Sequence, residues 1–211
     1  MSGSEAHPHA IRAGGAGAPG HTHDPVHSMA QHVLMRLGIH VHDDDLLRFD
    51  LRLAPEHLDP DGHVNFGVLG TYVDMASSQP EGMQLGRPFV HADITVHRLA
   101  RPRGGVLSAD ARAPRLGKRS GVVEIDVHDD AGVHVARSVQ EVVFPGAAPV
   151  GGPPDRDGSR ERFYSQFQTD CSLGAPFPEV LRISGPHGGD AERWWEIPLD
   201  DASRNGFGGL H

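Results

Sequence analysis

Residues 59–78 read "DPDGHVNFGVLGTYVDMASS", and this stretch holds side chains of the types that attack or polarise a carbonyl group. Asp59 and Asp74 supply carboxylates, which act as general bases or as nucleophiles. Asn65 stands where a polar loop gives way to an apolar run, the place of a helix N-cap. The backbone amides after it, of Phe66 and Gly67, then fall in a first helical turn, whose N–H groups carry partial positive charge and can hold a developing oxyanion. Counting back from Asp74 by three, four and seven residues gives Thr71, Gly70 and Gly67. The carboxylate thus shares its helix face with small residues, which let a ligand or a second backbone come close. A solvated carboxylate is the plainer alternative for Asp74, and simple capping is the plainer alternative for Asn65.

Side chains in such a set need a scaffold. From Ser28, the apolar residues Met29, Val33, Leu34 and Leu37 recur at helical spacing and stop at Gly38, which predicts a short amphipathic helix. "IHVH" and "LLRFDLRL", separated by an Asp run, alternate as two strands joined by a turn, with Phe49, Leu51 and Leu53 on one face. In a helix over 66–78, Leu69, Tyr72, Val73 and Ala76 form the stripe that packs on a sheet. The segments "HADITVHRL", "GVLSADARA", "GVVEIDVHD" and "VHVARSVQEVVF" read as strands, with Ala92, Ile94 and Val96, and likewise Val123, Ile125 and Val127, turned inward. Their short connections require antiparallel neighbours. The expected fold of residues 28–145 is therefore α+β: an antiparallel sheet whose apolar face is covered by the helix at 66–78.

The flanks differ in composition. Residues 1–27 are Gly, Ala, His and Pro with almost no large apolar residue, and read as a disordered tail. His7, His9, His21, His23 and His27 have no carboxylate or Cys partner at ligand spacing in a rigid element, so no metal site is expected. A Pro/Gly-rich linker over 146–160 marks a domain boundary. Beyond it, "RFYSQF" reads as a helix, "EVLRIS" as a strand, "GPHGGDAE" as a turn and "RWWEIPL" as a strand, the order met at the start of the first domain. A single offset of 146 carries Phe49, Leu51 and Leu53 to Trp195, Ile197 and Leu199, Asp59 to Asn205 and Asn65 to His211. Residues 161–211 thus read as the opening of an incomplete second repeat, without the helix that would cover it. A C-terminal extension of accidental similarity is the alternative.

The net charge is −9 and no Lys/Arg stripe interleaves with aromatics, which argues against nucleic acid or an anionic membrane as partner. No apolar run reaches the roughly 18 residues of a membrane span, and the N-terminus lacks the apolar core of a signal peptide. Cys171 is the single cysteine, so there is no internal disulfide, and a cytoplasmic setting is expected. In a linker-like stretch without a positioned His, it reads as an incidental thiol.

Taken in order, "DPDGHVNFGVLGTYVDMA", "HADITVHRLARP", "LGKRS" and "DDAGVHVARSVQEVVF" resemble the hotdog-fold acyl-CoA thioesterases, from about Ser28 to Pro145 and again in part from Arg162. The resemblance implies an antiparallel sheet wrapped around a central helix. It also implies an active unit made of two such domains, as a tandem or a homodimer. Asp59 stands where the 4-hydroxybenzoyl-CoA thioesterase branch has a catalytic Asp opening an Asp-Pro-x-Gly loop. Asp74 matches the helix Asp of the phenylacetyl-CoA-pathway branch. In that branch an Asn is followed six residues later by His-Gly-Gly; here Asp59 stands for the Asn, and Asn65, Phe66 and Gly67 stand for His-Gly-Gly. Asn205 and His211 keep the six-residue separation. The implied site is composite: amides at one domain's helix start polarise the thioester, and a carboxylate on the facing domain's helix attacks it or activates water. Asp74 would then face Asn205 and His211, and no cofactor is implied. Arg115, Lys118 and Arg119 in "PRLGKRS" are placed to meet coenzyme A phosphates, a merely solvated turn being the alternative. Two rival functions share the fold. A hydratase would want a His five residues after its Asp, where Val64 follows Asp59. A non-catalytic acyl-CoA-binding or assembly domain would tolerate the departure from His-Gly-Gly.

Overall fold

The computed structural model describes residues 32–42, 45–80, 89–144, 165, 167, 169–189 and 192–198. The histidine-rich tail 1–27, the linker 146–160, Asn205 and His211 lie outside them. Strands β1 (Ile39–His42), β2 (Asp45–Arg52), β3 (Val90–Arg98), β4 (Val106–Leu116), β5 (Ser120–Asp129) and β6 (His134–Val143) form one antiparallel sheet in the order β1-β2-β4-β5-β6-β3. Helix α1 (Phe66–Ala76) lies against it. This is the hotdog arrangement that the resemblance implies.

The α1 stripe is as the spacing predicts: Leu69, Tyr72, Val73 and Ala76 have no exposed surface. They meet Val123, Ile125 and Val127 of β5, Leu107 of β4 and Phe49 and Leu51 of β2 in one buried cluster. Tyr72 adds a polar tie, since its hydroxyl lies 2.8 Å from the Phe49 carbonyl and 3.2 Å from that of Leu107. Those two residues belong to β2 and β4, whose pairing spans only Asp50–Arg52 against Val106–Ser108. Burial, with Asp50 and Asp110 nearby, pushes the phenol well above its ordinary value, so it remains a donor. Beside this tie, where Asp129 of β5 pairs with Leu107, the buried Asp129 carboxylate accepts from the amides of Arg103, Gly104, Ala131 and Val133. Burial alone would raise its pKa; the four amides together hold it below the usual carboxylate range. One side chain thus joins the β5–β6 turn to the loop before β4.

Three expectations need correction. The helix expected from Ser28 is, within the described residues, a 3-10 turn over Val33–Arg36, capped by His32 Nδ1, which accepts from Leu34 N–H at 3.1 Å. Ala92 and Ile94 do not point inward; both are exposed. β3 is the edge of the sheet, and a bulge between His91 and Asp93 breaks its alternation, so His91, Val96 and Arg98 are the partly shielded side chains instead. Finally, "EVLRIS" is not a strand, whereas "GPHGG", expected to begin a turn, is strand. Pro176 and Pro178 suit a helix start, and the chain turns through α2 (Phe177–Val180) before a hairpin of β7 (Ser184–Gly189) and β8 (Glu192–Glu196).

The segment before that hairpin is docked on the main sheet domain. Leu173 and Phe177 join its buried cluster, and the Arg36 guanidinium donates to the carbonyls of Ser172 and Leu173 at 2.8 Å each. Cys171 Sγ lies 3.1 Å from His57 Nε2, while His57 Nδ1 accepts from the Ala54 amide at 3.0 Å. With Nδ1 an acceptor, the ring hydrogen of the neutral imidazole sits on Nε2 and is offered to the sulfur. His57 is therefore no base for Cys171, and burial pushes the thiol up, the opposite of an activated nucleophile. The β7–β8 hairpin is covered differently from β1–β2: Phe49 and Leu51 are buried, whereas Trp195 is 58% exposed and Ile197 38%.

Burial holds the His57 imidazole down to about 4. Above pH 6.5 both folded and unfolded chains leave it neutral. Below that value the unfolded chain takes up a proton that the folded chain refuses, so stability falls as pH drops from 6.5 toward 4, by up to about 3 kcal/mol. Urea unfolding at pH 7 and pH 4.5 measures this loss, and His57→Asn, whose amide oxygen can still accept from Ala54, should flatten that part of the dependence. Tyr72→Phe should cost about 1–2 kcal/mol in the same assay at pH 7, because two buried carbonyls lose a donor while the ring still fills its place.

Candidate functional site

Asp74 lies in the last turn of α1, its side chain one-quarter exposed. Facing it from β3 is His91, whose Nδ1 is 2.7 Å from Asp74 Oδ1. The other ring nitrogen, Nε2, is 3.1 Å from the hydroxyl of Ser77, the C-cap residue of α1. That hydroxyl is also 2.6 Å from the Asp74 carbonyl, and the Phe89 ring meets the imidazole edge to face at 5.4 Å. Carboxylate, imidazole and hydroxyl stand in the order of a serine hydrolase triad, but Ser77 has no exposed surface and cannot meet a substrate. Of the three side chains, that of Asp74 is the most exposed. On the inner side, fully buried Gln140 of β6 donates to the Val73 carbonyl at 3.0 Å, and its Oε1 has no hydrogen-bond partner among the described residues.

The N-terminal end of α1 holds the second cluster. Gly62, at a φ of 82°, closes the loop from Asp59, its amide donating to the Asp59 carbonyl. The Asp59 carboxylate is engaged on both oxygens: Asn65 Nδ2 donates to Oδ1 at 2.8 Å and Arg98 to Oδ2 at 2.5 Å. The Arg98 guanidinium lies over the Phe66 ring, 4.5 Å from its centroid. Asn65 caps the helix, its Oδ1 accepting from Gly67 N–H at 2.8 Å. The Gly67 amide is therefore not free, as the sequence suggested; moreover a Cβ there would lie 2.2 Å from the ring of Phe177, which is seated on it. Phe66 remains half exposed. On the face counted back from Asp74, Thr71 donates its hydroxyl to the Gly67 carbonyl, and Gly70 alone opens onto free space.

Asp59 is tied to Asn65 at the start of α1, whereas Asp74 lies about 12 Å along the axis from Phe66 at 1.5 Å per residue. Within one domain they do not share a site. His63, one residue short of the spacing a hydratase needs, pairs with Asp61, 3.0 Å away, and not with Asp59. Arg115, Lys118 and Arg119 are exposed around the β4–β5 turn. Gly121 of β5 pairs with Val142 of β6, which pairs with His91, so this turn and the Asp74 pair occupy the same end of the sheet. His91 and Gly121 are two strand spacings apart, about 10 Å. His91, Arg98 and Gln140 were not singled out from sequence. The bulge that turns His91 toward α1 leaves no mark in the hydrophobic pattern, and a Gln in a buried strand reads as a polar interruption.

A family model described as "Acyl-CoA thioesterase C-terminal domain" matches residues 16–144, more than half of the chain. Among solved structures, the chain is similar to the BH2602 protein of Bacillus halodurans with CoA, at 29% identity over 45% of this chain and 68% of that one, with a TM-score of 0.42. It is similar also to the Escherichia coli PaaI protein from the phenylacetic acid degradation operon, at 23% identity over 52% and 81% and a TM-score of 0.44. A hypothetical thioesterase of Streptococcus pneumoniae with coenzyme A matches at 19% identity over 47% and 77%, with a TM-score of 0.43. No curated protein matches.

Proposed function

The chain belongs to the acyl-CoA thioesterase C-terminal domain family, and on that premise we propose that it hydrolyses acyl-CoA thioesters with Asp74 as the reacting carboxylate. The observation that carries this reading is the Asp74–His91 pair, a partly exposed carboxylate held at 2.7 Å by an imidazole on the helix side that Gly70 leaves open. Asp59, bound on both oxygens by Asn65 and Arg98, supports the loop and is not the base. The carboxylate of Asp74 either takes a proton from water as the water oxygen adds to the carbonyl carbon, or adds to that carbon itself. In both routes the C–S bond then breaks and the thiolate of coenzyme A leaves with the electron pair. In the first it takes up the proton that Asp74 accepted and the acid is released at once; in the second it is protonated by solvent, and water then hydrolyses the anhydride formed between the acyl group and Asp74.

The negative oxygen formed on the way needs donors that Asp74's own helix end does not supply. We assign them to the helix start of a second hotdog domain, a homodimer mate or the tandem repeat opened by Asn205 and His211. The β3 edge, with Val90 and Ile94 exposed, is the seam such a domain would use. Arg115, Lys118 and Arg119 meet the phosphates at the mouth of the same site. A second reading, binding of acyl-CoA without turnover, is favoured by the chain's own helix start, which has its Gly67 amide taken by Asn65 and covered by Phe177 and so offers no donor to an oxyanion.

Thiol release from a panel of acyl-CoAs separates the two. Asp74→Asn keeps the volume and removes the charge, and should lower kcat by about 10²-fold or more with folding intact. An Asp74→Asn protein with the parent's turnover would overturn the assignment, and binding without turnover in the parent would favour the second reading. Replacing Arg115, Lys118 and Arg119 together by Ala should raise KM about tenfold at unchanged kcat, the mark of binding lost equally in ground and transition states.

A further inference from the structure

We propose that His91, held in turn by Ser77, is the positioning residue of the reaction: its Nδ1–H fixes the orientation of the Asp74 carboxylate. This rests on the reading of Asp74 as the reacting group. An ionised carboxylate only accepts hydrogen bonds, so the 2.7 Å contact with Asp74 Oδ1 requires a hydrogen on Nδ1. The Ser77 hydroxyl satisfies the opposite nitrogen in either of its rotor states. It donates to Nε2, or it donates to the Asp74 carbonyl at 2.6 Å and accepts from Nε2–H. Neither state removes the hydrogen from Nδ1.

The ring is thereby tied at both nitrogens to one turn of α1, through residues 74 and 77, while its backbone belongs to β3 and pairs with Val142. Phe89 closes the imidazole from the side. A carboxylate in the last turn of a helix otherwise rotates about two side-chain torsions. Here a strand-borne ring selects one orientation before substrate arrives, and misplacement of a reacting group by an ångström costs about 10²-fold in rate. Burial denies Ser77 the role of nucleophile and leaves it that of support.

The side-chain amides of Asn and Gln place a donor nitrogen near the positions of Nδ1 and Nε2 of histidine respectively. His91→Asn therefore restores the donor toward Asp74, whereas His91→Gln restores the wrong one. In the full 211-residue chain, His91→Gln and His91→Ala should lower kcat for acyl-CoA hydrolysis about tenfold or more, with KM within about twofold, and His91→Asn should recover most of that loss. Equal losses in the Asn and Gln variants, or a change confined to KM, would overturn the positioning role while leaving Asp74 as the reacting group. A second readout does not depend on turnover: in protein labelled with 15N-histidine, the His91 Nδ1 resonance should be that of a protonated nitrogen and should move on Asp74→Asn. An unprotonated Nδ1, or one indifferent to Asp74→Asn, refutes the contact itself. A parent that hydrolyses no acyl-CoA yet shows the protonated, Asp74-sensitive nitrogen would refute the reaction and retain the pair.

Discussion

The Asp74–His91 pair is placed by the burial of one face of α1. Eleven residues make a helix that is marginal by itself in water, so the element exists because the sheet accepts Leu69, Tyr72, Val73 and Ala76. Each large side chain so buried contributes about 1.5–3 kcal/mol, and the Tyr72 hydroxyl adds a bond that no slipped register could keep. Once that stripe faces inward, the rotation of the helix about its axis is fixed. Asp74 is then fixed too, one residue past Val73 and turned from the core toward β3.

The two ends of α1 have opposite characters for a related reason. At the start, a loop, a strand and the docked segment converge: Asn65 caps, Arg98 bridges to Asp59, and Phe177 closes over Gly67. Donors and acceptors are matched there, which gives rigidity and leaves little for a ligand. At the finish, the sheet edge β3 runs alongside with Gln140 of β6 behind it, and the cationic β4–β5 turn overlooks the same end. Polar groups at that end are held from behind and open in front, the condition under which a side chain can exchange a protein partner for a substrate.

Much of this was legible in the residues. Periods of 3.6 and 2 placed α1 and β5 because both are covered on one face only, and such elements carry their environment in their pattern. β3 failed the same test. Ala92, Ile94 and Val96 alternate as if inward, yet only Val96 packs on the core while Ala92 and Ile94 are exposed on an edge strand broken by a bulge. Asp59 was singled out by its motif, but the partner that engages it, Arg98, stands 39 residues on, beyond what local spacing reveals. Cys171 and His57 likewise meet across 114 residues. The second hairpin was legible in its order of elements and misplaced in its boundaries, since prolines at 176 and 178 set a helix where β-branched neighbours suggested a strand.

The position of β3 also bears on how the chain leaves the ribosome. Among the described strands its neighbour in the sheet is β6, and Val90 pairs with Val143 while Arg98 pairs with Ala136. Translation at roughly 5–20 residues per second separates the synthesis of these partners by about 2–10 s. During that interval β3 waits with both edges unpaired and Val90 and Ile94 uncovered. His91 and Asp93, set between those apolar residues, are the polar interruptions that discourage nascent strands from pairing with one another. One of the side chains that keeps the waiting strand soluble is then the one that, when β6 arrives, closes on Asp74.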